Sequence, residues 1–154
     1  MTDDANTPAQ GMPSRDELTK HLYTAPELMR LTGMSRKNVS YWAKIGLVAP
    51  TLRNPNADNG KPALFYSGTE AVKALIVCEL RRRGFSLRQV QQVARNLQER
   101  GIELYESEAY LLTDGYSVYY AFNDGEVVDV LKQHHQMLLL VPIHEQVAKL
   151  QEVA

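Results

Sequence analysis

Three capping boxes divide the middle of this 154-residue chain into helices. A Ser or Thr followed three residues later by Glu or Gln satisfies two backbone amides that a helix start would otherwise leave orphaned. The pattern therefore marks where a helix begins as well as that one exists. The boxes are Thr24-Ala-Pro-Glu27, Ser67-Gly-Thr-Glu70 and Ser86-Leu-Arg-Gln89, and each leads into apolar residues at helical spacing. Glycines stop these helices at Gly33, Gly84 and Gly101. A further N-cap, Ser35, opens the segment Arg36 to Ile45, which Gly46 ends. Within that segment Val39 and Trp42, with Ile45 or Ala43, point one way. Arg36, Lys37, Ser40, Tyr41 and Lys44 point the other.

Between the second and third helices lie Leu47-Val48-Ala49-Pro50, a polar stretch from Arg53 to Pro62 rich in turn formers, and the apolar Ala63-Leu-Phe-Tyr66. These predict two short strands joined by a polar loop. In the third helix Ala71, Leu75, Cys78 and Arg82 share a face that is mostly core. In the fourth, Leu87, Val90, Val93, Ala94 and Leu97 form the apolar side and Arg88, Gln91, Gln92, Arg95 and Gln98 the polar one. Beyond Gly101 the period shortens to two. Tyr110 to Thr113 and Tyr116 to Phe122 predict a hairpin, with Asp114-Gly115 as a tight type I′ turn. Glu126 to His134 reads as either helix or strand, Met137 to Val141 as a buried strand, and Ile143, Val147 and Leu150 as an amphipathic helix after Pro142. Residues 1–20, with Pro8, Gly11 and Pro13 and no apolar period, predict a disordered arm.

The net charge of -1 conceals an uneven distribution. Residues 20–100 carry 14 Lys/Arg against 5 Asp/Glu, a net of +9, whereas residues 101–154 carry 2 against 9, a net of -7. A basic centre points to a polyanion as partner; the acidic end points to another role. A single cysteine, Cys78, excludes an internal disulfide and a thiolate metal cage. Its apolar neighbours favour a buried, inert thiol. His134, His135 and His144 lack ligand spacing, so no metal is expected, and no coenzyme motif or nucleophile set predicts a cofactor or an enzyme. No apolar run reaches the roughly 20 residues of a membrane span, and the acidic start differs from a secretory signal, so a cytoplasmic protein is expected. Arg81-Arg82-Arg83 reads equally as a phosphate clamp or as a solvated helix end.

Two helices joined by a tight turn, the second basic outside, then a hairpin and two more helices, give the order of a winged helix-turn-helix. The string Tyr23 to Pro50, with Phe65-Tyr66-Ser67 and Arg81 to Val90, resembles the MerR-type DNA-binding domain over residues 22–98. The resemblance implies a homodimeric transcriptional regulator that binds double-stranded DNA, with the Ser35–Ile45 helix in the major groove and the wing (51–66) on the backbone. It places Arg36, Lys37 and Tyr41 at contact positions and Trp42 at a core aromatic position. The family commonly has Arg where this chain has Ser40 and Leu64, a loss that either weakens binding or shifts it onto Arg53, Lys61 and Arg88. Members usually continue into a long pairing helix, which Gly101 cuts short here.

The expected architecture is therefore α+β. It has a mainly helical winged head (21–100) and a small acidic α+β module (101–154) that mediates association with itself or with a protein partner. DNA contacts are assigned to Arg36, Lys37, Ser40, Tyr41, Lys44, Arg53, Lys61 and Arg88. The C-terminal module loosely resembles small domains that follow such heads in some antitoxins. Two other readings follow: an adaptor that neutralises a partner protein, and an architectural, excisionase-like DNA-bending factor.

Overall fold

The structure, a computed structural model, describes residues 22–55, 62–100, 108–134 and 137–152. The expected N-terminal arm, the tip of the wing with Lys61, and the segment after Gly101 lie outside them. The described chain begins with β1 (Tyr23–Thr24), α1 (Ala25–Thr32) and α2 (Arg36–Lys44). The wing strands β2 (Leu52–Asn54) and β3 (Ala63–Tyr66) follow, then α3 (Gly68–Arg82) and α4 (Leu87–Arg100). The C-terminal part is β4 (Tyr110–Thr113), β5 (Val118–Ala121), α5 (Asp124–His134), β6 (Leu139–Pro142) and α6 (Ile143–Gln151). The outcome is the expected α+β chain, with two three-stranded antiparallel sheets ordered β1-β3-β2 and β5-β4-β6.

Each anticipated N-cap is made, though in different ways. Thr24 Oγ1 accepts from the Glu27 amide at 3.2 Å, and Ser35 Oγ from the Asn38 amide at 3.1 Å. Around α4 the box is reciprocal: the Gln89 amide donates to Ser86 Oγ (3.1 Å) and the Ser86 amide to Gln89 Oε1 (2.8 Å). At α3 the Glu70 amide donates to Ser67 Oγ, but the Glu70 carboxylate does not turn back to Ser67. It accepts instead from the Ala49 amide (3.3 Å) and pairs with Lys73 Nζ (2.8 Å). One acid thus ties the central helix to the segment leaving α2, and it neutralises a lysine that is only 8% exposed.

That central helix organises the core. Residues 71–77 of α3 are all buried, because α1, α4 and α6 pack around it. One apolar cluster runs from Leu28, Val39, Trp42 and Tyr66 in the head through Ile76 and Leu80 to Leu111, Val141, Ile143 and Leu150 near the C-terminus. Arg82, placed by its spacing on the core face, instead emerges into solvent and pairs with Glu79.

Three sequence expectations need correction. The first wing strand is Leu52–Asn54, registered Leu52↔Phe65 and Arg53↔Leu64, whereas Leu47 and Val48 are buried just after α2 (3% and 2% exposed). The amides of both donate to the Trp42 carbonyl rather than to a strand partner, closing the helix end. Secondly, Asp114-Gly115 is no two-residue type I′ turn. The β4–β5 connection spans residues 114–117, in which Asp114 Oδ1 accepts from the amides of Tyr116 (2.8 Å) and Ser117 (2.7 Å). Thr113 Oγ1 donates to the Ser117 carbonyl at 2.7 Å, so side chains rather than a tight backbone turn close the hairpin. Thirdly, the strand expected over 137–141 lies at Leu139–Pro142 and is not buried throughout: Leu140 is 42% exposed and Met137 95%. The ambiguous segment before it is helical, as α5.

Gly115 joins the two halves. Its φ is +93°, and a Cβ there would stand 2.8 Å from Gln89 Nε2, the same side chain that caps α4. Gly115→Ala would therefore combine a left-handed alanine with a clash against an engaged side chain. The expected loss is about 1–3 kcal/mol, read as a lower urea midpoint at unchanged m-value.

Candidate nucleic-acid interface

Helix α2 exists because Ser35 caps it and because Val39 and Trp42, 5% and 6% exposed, anchor it to the core. The charged residues Arg36, Lys37 and Lys44 are turned outward, and Ser40 and Tyr41 are exposed with them. At 9 residues the helix is about 13 Å long, a length that the roughly 12 Å wide major groove of a B-form duplex admits.

The electrostatics of α2 differ from those of α1, α3 and α5, and resemble those of α4, which also has no acid in its first turn and carries Arg88 there. Helix α1 has Glu27 in its first turn, α3 has Glu70, and α5 has Asp124 and Glu126, all placed to complement the positive end of the helix dipole. Helix α2 has no acid in its first turn and begins with Arg36 and Lys37 instead. Two cations at that end oppose the dipole by about 0.3–1 kcal/mol each. Among the described residues none of Arg36, Lys37 or Lys44 has an ion-pair partner; the ion pairs are Lys73 with Glu70, and Arg82 and Arg83 with Glu79. A surface that works against its own helix and leaves its charges unneutralised is suited to an external anion.

The remaining assigned residues are distributed over other elements. Arg53 is exposed on β2, opposite the half-buried Leu64, and Arg88 is exposed in the first turn of α4. Lys61 lies outside the described residues. Sequence reasoning passed over Asn38, which is exposed on the first turn of α2 beside Lys37. An amide side chain there can offer a donor and an acceptor to a base edge, and the available signal was its place one residue from the cations.

The Arg81-Arg82-Arg83 cluster is engaged within its own chain. Arg82 and Arg83 share the Glu79 carboxylate at 2.7 and 3.0 Å, and Arg81 donates to the Phe85 carbonyl at 2.9 Å, which staples the end of α3. A cleft lined by Ile45, Leu47, Lys73, Gln91, Arg95 and Gln98 separates the end of α2 from α4. Its volume of about 100 Å³ is well below the roughly 300 Å³ at which small-molecule sites begin. His144 packs edge-on against the Tyr110 ring with centroids 5.5 Å apart. The described residues contain no group of three potential metal ligands, and no helix among them is long and apolar enough to cross a membrane.

Burial pushes the Cys78 thiol up to about 11 from its usual 9.0, opposed in part by a hydrogen bond with the Thr32 side chain and by Arg82. It pushes the Tyr120 hydroxyl up to about 12 from 10.0, opposed in part by Arg100. Both groups stay neutral in the fold at pH values where the unfolded chain would ionise them. Their contribution to stability is complete below about pH 9 and is lost as pH rises through about 11 and then about 12. Urea midpoints measured at stepped alkaline pH should decline across this window, and Cys78→Ala should remove the earlier part of the decline.

A capped, core-anchored helix with a cationic outer face, followed by a two-stranded wing and a further helical pair, defines a winged helix-turn-helix head. Residues 23–97 match the model of the MerR HTH family regulatory protein, and the chain belongs to that family through this segment. Similar curated proteins include uncharacterized HTH-type transcriptional regulators of Mycobacterium bovis and of two Mycobacterium tuberculosis strains. Each is 31% identical over 110 residues, which is 71% of this chain and 48% of the relative. The chain thus spans about half the length of the curated relatives it matches.

Proposed function

We propose that the protein is a sequence-specific, DNA-binding transcriptional regulator that acts as a homodimer. Helix α2 enters the major groove, with Arg36, Lys37, Ser40, Tyr41 and Lys44 facing the duplex, while Arg53, Lys61 and Arg88 hold flanking phosphates. The observation that carries this reading is the unpaired cationic face of α2, placed against its own dipole and held outward by Val39 and Trp42. Family membership and the curated names of the relatives support the same reading.

A dimer fits because one short helix reads few base pairs, and two heads on one operator multiply the discrimination. Sites mapped genome-wide should contain two related half-sites, and a duplex carrying them, titrated at stepped salt, tests the reading directly. Affinity should fall along a straight line in log–log coordinates as counterions compete. A flat salt response would overturn the reading.

A further inference from the structure

The cleft between the end of α2 and α4 gathers more positive charge than the fold neutralises. Gln91, Ala94, Arg95 and Gln98 recur at helical spacing on one side of α4, and the small Ala94 leaves a hollow between the longer three. Lys73 of α3 and the turn 45–47 complete the lining, and no carboxylate is among the described residues that form it. The free volume of about 100 Å³ has room for one group of phosphate size, not for a coenzyme.

The bonds around the cleft show which charge is left over. Lys73 is 8% exposed and donates one ammonium proton to Glu70 Oε1 at 2.8 Å, which leaves its other protons for a further acceptor. The second Glu70 oxygen accepts from the Ala49 amide, so this acid is committed on both oxygens and balances Lys73 alone. Arg95 is exposed and, among the described residues, has neither an ion-pair nor a hydrogen-bond partner. The carbonyl end of α2 does not require it. The Tyr41, Trp42 and Ala43 carbonyls already accept from the amides of Ile45, Leu47 and Gly46, and a helix end carries only about half an elementary charge.

We propose that this cleft binds a small free oxyanion of the phosphate class. Arg95 takes two oxygens in its planar fork while Lys73 donates from the buried side, both as charge-assisted bonds. The Gln91 and Gln98 amides each offer donors and an acceptor, which suits hydrogen phosphate, an anion that both accepts and donates. Depth separates this ligand from a duplex. A backbone phosphate is a diester with a sugar on either side, too broad a group to reach a lysine that is 8% exposed. Because residues 45–47 follow directly on α2, the bound anion joins the end of that helix to α3 and α4. The site is argued from the cleft alone and does not depend on the DNA-binding reading.

Calorimetric titration of the full chain with inorganic phosphate, in chloride buffer at constant ionic strength and without DNA, tests the site. A saturable isotherm with one phosphate per chain is expected, and Arg95→Gln and Arg95→Glu should each weaken it by roughly tenfold or more. Since Arg95 has no partner to lose, both variants should keep the wild-type circular dichroism and urea midpoint in chloride. Arg30→Gln, which removes an exposed cation of α1 outside the cleft, should bind phosphate as the wild type does. Phosphate should also raise the urea midpoint of the wild type more than that of either Arg95 variant; general stabilisation by the salt acts on all of them, so the difference reports the site. No saturable binding, equal binding by the Arg95 variants, or an equal loss in Arg30→Gln would overturn the proposal. If Arg95→Gln instead lowered the salt slope of duplex binding by about 0.9, one phosphate contact, while free phosphate failed to bind, the cleft would belong to the DNA backbone and the proposal would also fall. A chain that ignores duplex DNA but binds phosphate through Arg95 keeps the cleft and removes the regulator. A salt-dependent duplex complex in a chain without phosphate binding does the reverse.

Discussion

Replacing Arg36 and Lys37 together by alanine should weaken binding to the operator duplex by roughly a hundredfold or more per head. A side chain that reaches a base edge contributes about 1–3 kcal/mol, and each lost phosphate contact lowers the slope of log affinity against log salt by about 0.9. The double variant should therefore bind less tightly and respond less steeply to salt. Stability should move the other way. Both cations stand at the positive end of the α2 dipole without an acidic partner, so their removal should raise the unfolding free energy by about 0.6–2 kcal/mol at low salt. Titrating labelled duplex at several salt concentrations, beside urea unfolding of the same proteins, reads both effects. Equal affinity in variant and wild type would remove α2 from the interface.

Trp42→Ala should cost about 3–5 kcal/mol of stability, a large share of the roughly 5–15 kcal/mol available to a domain. Trp42 is 6% exposed in the cluster it shares with Leu28, Val39 and Tyr66, so truncation to alanine would leave a cavity in the core. Tyr41, the adjacent residue, is 45% exposed. Tyr41→Ala should change stability by no more than about 0.5 kcal/mol while weakening duplex binding. Because Trp42 is the sole tryptophan, unfolding should be followed by circular dichroism in both variants. If Tyr41→Ala destabilised and Trp42→Ala did not, the two faces of α2 would have been assigned the wrong way round.

Where the sequence was legible, the signal was local. Caps at Thr24, Ser35, Ser67 and Ser86 specify helix starts because they act within three residues of themselves. The division of α2 into Val39 and Trp42 against Arg36, Lys37, Ser40, Tyr41 and Lys44 follows from 3.6-residue periodicity alone. Where it was misread, particular hydrogen bonds overrode composition. Leu47 and Val48 have the composition of a strand, but their amides close α2 and their side chains enter the core, so the strand begins at Leu52. Asp114-Gly115 has the composition of a two-residue turn, yet Asp114 and Thr113 side chains hold a four-residue loop whose Gly115 rests against Gln89 of the head.

The chain's own order of residues determined the helices, their polarity and the family of the head, since capping, periodicity and charge act between near neighbours. Tertiary packing alone decided that α3 would be enclosed by α1, α4 and α6, that Glu70 would leave its cap for Ala49 and Lys73, and that β6 would stand at an edge with Leu140 facing out. These depend on contacts between residues far apart in the chain, whose geometry is set only when the whole apolar cluster closes.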